Sequence, residues 1–470
     1  MAFACPTSSV LLRMSNTPER KTLTAAGREM AISNPKVPFP AAGYTRLDPA
    51  RRLCIIEVAA TSRMNEVQDI WKPSHAMRVS LAACAFAVAS AASAASFEGC
   101  LSSLRSDATA RGIGTQTFDQ AMAGVTPDQS VLDAMESQPE FVTPIWDYLA
   151  TLTDDQRVAD GKAKLAEWNA VLANVERQYG VDRHTVIAVW GVESDYGRTL
   201  GGRPLLRSLA TASCFGARQR YFRGELFATL RIVQDGDMPQ QALVGSWAGA
   251  FGHTQFMPTT FQKLAVDFDG DGRRDIVGSV PDALASTANF LKRAGWVAGE
   301  PWGYEVRLPE NYRGPSGRRT RKALGEWTRL GVSRIDGSPL TGDGAGALLL
   351  PAGSAGPAFI VFRNFDAIYS YNAAESYALA ISHLSDRLRG GASFVTPWPT
   401  DDPGISRAER RELQELLIAR GYDIGQPDGL VGARTRAAIE AFQSSAGLAV
   451  DGHAGARVLN ALKSGAAAAR

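Results

Sequence analysis

Neither sign of charge is in surplus in this chain. Its 50 Lys and Arg stand against 48 Asp and Glu, a formal net charge of +2, which excludes the basic footprint of a nucleic-acid binder. Cysteine is scarce: there are five in 470 residues, and Cys5, Cys54 and Cys84 lie near the start. The apolar run at 79–92 is, at about 14 residues, too short for a helix that spans a bilayer. The remainder is ordinary for a soluble globular protein, 45% hydrophobic and 21% charged, with length for two or three domains.

The N-terminus departs from that pattern. Residues 1–95 hold 11 of the Lys/Arg and 6 of the Asp/Glu, so the rest of the chain is slightly acidic. Residues 1–76 show no sustained helical or strand period. Met77-Arg78, the apolar run and Ala92-Ser93-Ala94 then form a basic n-region, an h-region and an A-x-A site. The simplest reading is a secretory signal peptide at 77–95, with 1–76 outside the mature protein because the start codon lies too early. Leu81-Ala82-Ala83-Cys84 resembles a lipoprotein cleavage box, but most of the hydrophobic region follows it, so no lipid anchor is expected. Export removes three cysteines and leaves Cys100 and Cys214, either disulfide-bonded or as two separate buried thiols.

From 96 to 395 the chain reads as one mainly α (α+β) domain. Helical periods occupy 162–178, 182–196, 217–234, 281–294 and 373–388. Between about 303 and 370, short runs such as Phe359-Ile360-Val361-Phe362 predict a small β-containing subdomain, and 342–356 reads as a hairpin or mobile loop. A Pro-rich linker follows at 396–404, then a module at 405–466. In that module Asp428-Gly429-Leu430-Val431-Gly432-Ala433-Arg434 recurs as Asp451-Gly452-His453-Ala454-Gly455-Ala456-Arg457. Each copy reads as a turn into a helix; with the helix around Leu413, Leu416 and Leu417 they make a three-helix unit. On these residues, with Gly421-Tyr422, Phe442-Gln443 and Gly447-Leu448, the module resembles a peptidoglycan-binding domain.

The segment from Val186 to Gly197 predicts a helix with Asp182 as N-cap and its stop near Gly197. Glu193 lies four residues after Val189 and three after Trp190, on a face with apolar side chains. Desolvation and the partially negative helix C-terminus both raise a carboxyl's pKa, as a general acid at neutral pH requires. Asp195 is the obvious second carboxylate. Two residues on, it points about 200° away, so the pair cannot flank one bond, and Asp195 is expected to cap or orient a neighbour.

Trp190-Gly191-Val192-Glu193-Ser194, Gly245-Ser246-Trp247-Ala248-Gly249-Ala250-Phe251-Gly252, Thr254-Gln255-Phe256-Met257-Pro258 and Tyr369-Ser370-Tyr371-Asn372 together resemble the lytic transglycosylase B family. The resemblance implies a lysozyme-like fold, no catalytic cofactor, and cleavage of the MurNAc–GlcNAc bond of peptidoglycan with a 1,6-anhydro end. It implies Glu193 as acid and then base, and Ser246 and Asn372 as groups that orient the acetamido group and stabilise charge. Gln255, Tyr371 and Tyr377 would line sugar sites, with core packing as the alternative for the tyrosines and a backbone-capping amide for Gln255. Arg218 would meet peptide or lactyl carboxylates. His253 reads as a hydrogen-bonder that stabilises its loop. The expected partner is the glycan strand, the place the periplasm, and the state a monomer with no transmembrane helix. A hydrolytic muramidase and a non-catalytic wall-binding scaffold are the alternatives.

Asp267, Asp269, Asp271 and Asp275 supply oxygens at positions 1, 3, 5 and 9 of an EF-hand-like loop, with the Arg273 carbonyl at position 7. Four carboxylates so close repel without a cation. Position 12 is Gly278 where a bidentate Glu is usual, so the expectation is a structural Ca²⁺ (or Na⁺), not a sensor.

Overall fold

The computed structural model describes residues 97–136 and 143–465. The readings of 1–76 and of the signal peptide lie outside them. The described residues gather three apolar cores. The main one is built by the helices between 97 and 388, a second lies under the β-rich segment, and a third is inside the C-terminal module.

At the centre of the main core runs the helix Arg183–Ser194, in which Val186, Ile187 and Val189 are fully buried and Trp190 nearly so. It is apolar almost all round, the pattern of a helix surrounded by others. The helices Asp155–Glu167, Asn169–Tyr179, Val280–Arg293 and Glu375–Leu388 pack on it. Each large apolar side chain it buries contributes roughly 1.5–3 kcal/mol. The period expected over 162–178 is two helices. Trp168 ends one and starts the next with φ −103° and ψ 18°, while Leu172 and Val175 still face the core. Helices 97–110, Leu205–Phe215 and Arg363–Asn372 add to those that the sequence period marks. The last occupies the end of the stretch that reads as strand-like.

The β-rich segment is a five-stranded antiparallel sheet in the order Arg321–Ala323, Ala345–Leu349, Ala358–Val361, Gly303–Arg307, Ser333–Arg334. The expected hairpin is the pairing of Ala345–Leu349 with Ala358–Val361, in which Leu348 faces Ile360. Successive side chains point to opposite faces. Ala347, Leu349, Phe359 and Val361 therefore join the main core, while Leu348, Ala358 and Ile360 join the second. A strand buried on both faces explains why 359–362 is apolar without alternation.

In the C-terminal module the helices are Arg407–Ala419, Ala433–Ser445 and Ala456–Lys463. Its sequence repeat is a repeated hydrogen-bond device. Gln414 Oε1 accepts from Gly429 N at 2.7 Å and its Nε2 donates to Asp428 at 3.2 Å. Gln443 does the same with Gly452 N at 2.9 Å and Asp451 at 2.6 Å. Both glutamines are buried, so these bonds satisfy polar groups that would otherwise be costly. The module rests on the main domain. Arg410, 5% exposed, donates to Thr151 Oγ1 at 3.0 Å, and His453 pairs with Asp147 at 3.0 Å. The Asp147 hydrogen bond, with Asp402 on the other ring nitrogen, pulls the His453 pKa up to about 9 and keeps it charged at neutral pH.

Cys100, on helix 97–110, is disulfide-bonded to Cys214 on Leu205–Phe215, with Cα atoms 5.8 Å apart. The bond closes a separation of 114 residues, long enough to constrain the unfolded chain substantially. A Cys100→Ser/Cys214→Ser variant is therefore expected to lose up to about 5 kcal/mol in denaturant unfolding; an unchanged midpoint would remove the bond from the stability of the fold.

Candidate active site

The helix that carries Glu193 begins where Asp182 accepts hydrogen bonds from His184 N at 2.9 Å and Thr185 N at 3.1 Å. It ends at Ser194, three residues before the expected stop. Asp195 and Tyr196 take left-handed φ values of 52° and 57° and turn the chain back. Tyr196 folds over the last turn and donates to the Arg157 carbonyl at 2.9 Å. Its ring lies so close that a Cβ at Gly191 would be 2.6 Å from it. Glycine two residues before Glu193 is thus a packing requirement.

Glu193 is half-buried, and the Tyr377 hydroxyl donates to its Oε1. Burial pushes the Glu193 carboxyl above the usual glutamate range, and the Tyr377 hydrogen bond, which favours the ionised form, partly opposes it. Tyr377 is itself buried. Desolvation and the Glu193 charge drive its phenol well above the ordinary value, so it remains a donor. Tyr371 stacks on Tyr377 with ring centroids 6.2 Å apart, and it packs 4.5 Å from Phe290. Its hydroxyl donates to Thr254 O at 2.7 Å. Both tyrosines thus build the wall behind Glu193. Little of either residue is exposed, 6% for Tyr371 and 2% for Tyr377.

Asp195 faces elsewhere. Its carboxylate lies 3.2 Å from Arg157, 2.6 Å from Arg407 and 3.4 Å from Arg198. Burial pushes its pKa up, but the Arg407 hydrogen bond and the neighbouring guanidinium charges outweigh that and keep it ionised. It is an anchor for the helix end.

The loop that follows strand Val244–Gly245 folds on itself. Ser246 N donates to Ala250 O at 2.8 Å, and Ala250 N donates to Ser246 Oγ at 3.0 Å. A Cβ at Gly245 would collide with the Ala250 carbonyl, so the sharp fold demands glycine there. Trp247 leans on buried Phe222 at 6.4 Å, and the Arg218 guanidinium lies over Phe222 and Tyr221 at 5.8 and 5.3 Å. Arg218 is therefore linked to the Ser246 loop through aromatic rings. The next motif is stitched to the Glu193 helix: Trp190 Nε1 donates to His253 Nδ1 at 3.1 Å, and Ser194 Oγ to His253 O at 2.6 Å. Gln255 has φ 50°. Its Nε2 donates to Leu200 O at 3.1 Å and Gly252 O at 2.8 Å, so the amide nitrogen caps backbone carbonyls. Asn372 ends the helix Arg363–Asn372, beside Tyr371, and is half-buried. These contacts join Glu193, Tyr377 and Tyr371 to the 252–255 loop that carries His253 and Gln255, with Ser246 and Asn372 on neighbouring segments. Sequence reasoning places Tyr377 among the sugar sites and misses its hold on Glu193. Its position beyond Tyr371-Asn372 is visible in the chain; its contact is not.

The acidic loop differs from its expected ligand set. Carboxylate oxygens of Asp267, Asp269 and Asp282 lie within 4.8 Å of one another. Asp282 is fully buried in the first turn of helix Val280–Arg293. Burial raises its pKa, against hydrogen bonds from Phe268, Asp275 and Asp269 N–H groups. Asp271 and Asp275, expected at positions 5 and 9, lie outside that group of three; Asp271 accepts from Arg273 N at 2.8 Å and Asp275 from Gly278 N at 2.7 Å, as Asp267 does from Gly270 N at 2.7 Å. Asp282 escapes sequence reading because it lies beyond the twelve-residue loop. The three oxygen donors suit a hard cation such as Ca²⁺.

Residues 96–386 match the Transglycosylase SLT domain family, and residues 406–462 match a peptidoglycan binding domain family. The chain is 30% identical over 287 residues to the membrane-bound lytic murein transglycosylase B of Escherichia coli (strain K12), covering 58% of this chain and 78% of that protein. Among solved structures it resembles SltB3 from Pseudomonas aeruginosa in complex with NAG-anhNAM-pentapeptide. That likeness has 48% identity and a TM-score of 0.63, and covers 78% of this chain and 99% of the other. It also resembles the Escherichia coli lytic transglycosylase Slt35 in complex with calcium, at 28% identity and a TM-score of 0.56 over 62% of this chain and 92% of the other. With its SLT domain matched over more than half the chain and a peptidoglycan binding domain behind it, the chain belongs to the SLT-domain lytic transglycosylase family.

Proposed function

We propose that the protein cleaves the β-1,4 bond between MurNAc and GlcNAc in peptidoglycan, by a route in which Glu193 serves as both acid and base. The observation that carries this reading is the recessed Glu193 carboxyl, raised in pKa and held by Tyr377, while Asp195 is committed to three arginines. Glycosidases that use water pair two carboxylates across the bond. Here one suffices. Glu193-COOH gives its proton to the glycosidic oxygen as the C1–O bond breaks. The C6 hydroxyl of the same MurNAc then attacks C1, and Glu193-COO⁻ takes its proton, which restores the acid. No water is consumed and no cofactor is needed.

Around that centre, Ser246 and Asn372 orient the acetamido group and stabilise developing charge. Gln255 offers its amide oxygen to a sugar hydroxyl, Tyr371 supports Tyr377, and Arg218 meets a lactyl or peptide carboxylate. The C-terminal module holds the enzyme on its insoluble substrate. Export through the leader at 77–95 brings a monomer to the periplasm, where that substrate lies. Among the described residues no helix is long and apolar enough to cross a membrane. Asp267, Asp269 and Asp282 hold a structural Ca²⁺, a reading supported by their convergence and by the calcium complex of Slt35.

Glu193→Gln is expected to lower kcat by about 10²–10⁴-fold while the variant still sediments with sacculi; full turnover would refute the single-acid route. Product mass spectrometry separates the alternatives, since anhydro ends support this chemistry and products one water heavier support a muramidase. Tyr377→Phe removes a hydrogen bond that lowers the Glu193 pKa. The acid form then persists to higher pH, so the alkaline limb of the kcat/KM profile is expected to move upward and kcat to fall. A limb that moved downward would contradict the assigned contact. Added Ca²⁺ is expected to raise the Tm of the wild type, with about 2.7 kcal/mol of stabilisation at a hundredfold excess over Kd. Asp267→Asn should not respond; an equal response would place the ion elsewhere.

A further inference from the structure

The C-terminal module reaches the end of the Glu193 helix through one side chain. Arg407, the first residue of its first helix, places Nη1 2.6 Å from Asp195 Oδ2, with the two side chains 20% and 8% exposed. Its Nε lies 3.5 Å from the carbonyl of Asp428, in the first repeat turn of the module. Asp195 caps the last turn that carries Glu193, and its N–H donates to Gly191 O at 3.1 Å. On the other side Arg157, from the main domain, donates to Gly191 O and lies 3.2 Å from Asp195 Oδ1. The turn bearing Glu193 is thus clamped between one arginine of the catalytic core and one of the binding module.

We propose that Arg407 is a positioning residue for Glu193: the module completes the active site through the Arg407–Asp195 pair as well as tethering the enzyme to the wall. The proposal rests on Glu193 being the catalytic acid. A buried carboxylate must be paired. Without Arg407, Asp195 keeps Arg157 and gains weight toward Arg198, which is half exposed and 3.4 Å away on the solvent side. Rotation of the capping carboxylate toward Arg198 moves the left-handed turn at Asp195 and, with it, Glu193 relative to Tyr377. Misplacement of this kind is felt in the chemical step more than in binding.

The test uses the full-length chain on soluble glycan oligomers from peptidoglycan, with sacculus sedimentation beside it. Arg407→Gln is expected to lower kcat about tenfold with KM within about twofold and unchanged sedimentation. Arg407→Lys, which keeps the single charged contact, should recover most of the loss. Asp195→Asn should lower kcat too, and the double variant should lose less than the product of the two single losses. Thr151→Ala removes a different contact between the module and the main domain, Arg410 to Thr151 Oγ1, and is expected to retain kcat. An unchanged kcat in Arg407→Gln, a loss confined to KM and sedimentation, or an equal kcat loss in Thr151→Ala would each overturn the proposal. Should Arg407→Gln be neutral while Glu193→Gln is inactive, this inference alone falls. An active Glu193→Gln would instead remove the reading beneath it.

Discussion

The hydrogen bond from Tyr377 to Glu193 joins two helices that are 184 residues apart at this contact, and the site depends on their packing. Arg183–Ser194 brings a carboxyl to the edge of an apolar core, and Glu375–Leu388 brings it a buried neutral donor, Tyr377. Burial by itself raises the Glu193 pKa; a formal positive partner would pull it far down and leave no acid at neutral pH. A phenol with a pKa above its ordinary range holds the carboxyl in place and opposes desolvation only in part. Thr185 and Ser385, with hydroxyls 3.1 Å apart, tie the same two helices deeper in the core.

Around that pair, strain and polarity are confined to places where packing enforces them. The non-glycine residues with left-handed backbone include Asp195 and Tyr196 behind Glu193, Gln255 in the loop beside it, and Ala373 just after Asn372. Such conformations persist only where the surroundings over-determine them. Asp195 has its arginines, Tyr196 its ring against Gly191, and Gln255 its amide bonded to Leu200 and Gly252. His253, with its pKa lowered by burial, is a neutral acceptor for Trp190 and serves this framework.

The C-terminal module uses a different economy. Its small core would be marginal alone, and the two buried glutamines each satisfy a turn that a short helix cannot. Arg410 and His453 then set it against the main domain with hydrogen-bonded charge. Arg407, on the first helix of the module, also reaches Asp195 at 2.6 Å, so the module contacts the end of the Glu193 helix.

Patterns with a short range are legible in the amino-acid sequence by itself. The N-cap at Asp182, the apolar face that carries Glu193, the hairpin after 342, the helical repeat at 428 and 451 and the acidic loop are all local, because backbone preference and side-chain period act over a few residues. The angular separation of Glu193 and Asp195 is equally local, and it separates their roles. What required tertiary structure was every partner drawn from a distant segment: Tyr377 for Glu193, Arg157 and Arg407 for Asp195, Asp282 for the acidic loop, Cys214 for Cys100. The helix stop moves from Gly197 to Ser194 for the same reason. Asp195 leaves the helix with its carboxylate held by two arginines, 38 residues before it and 212 after it.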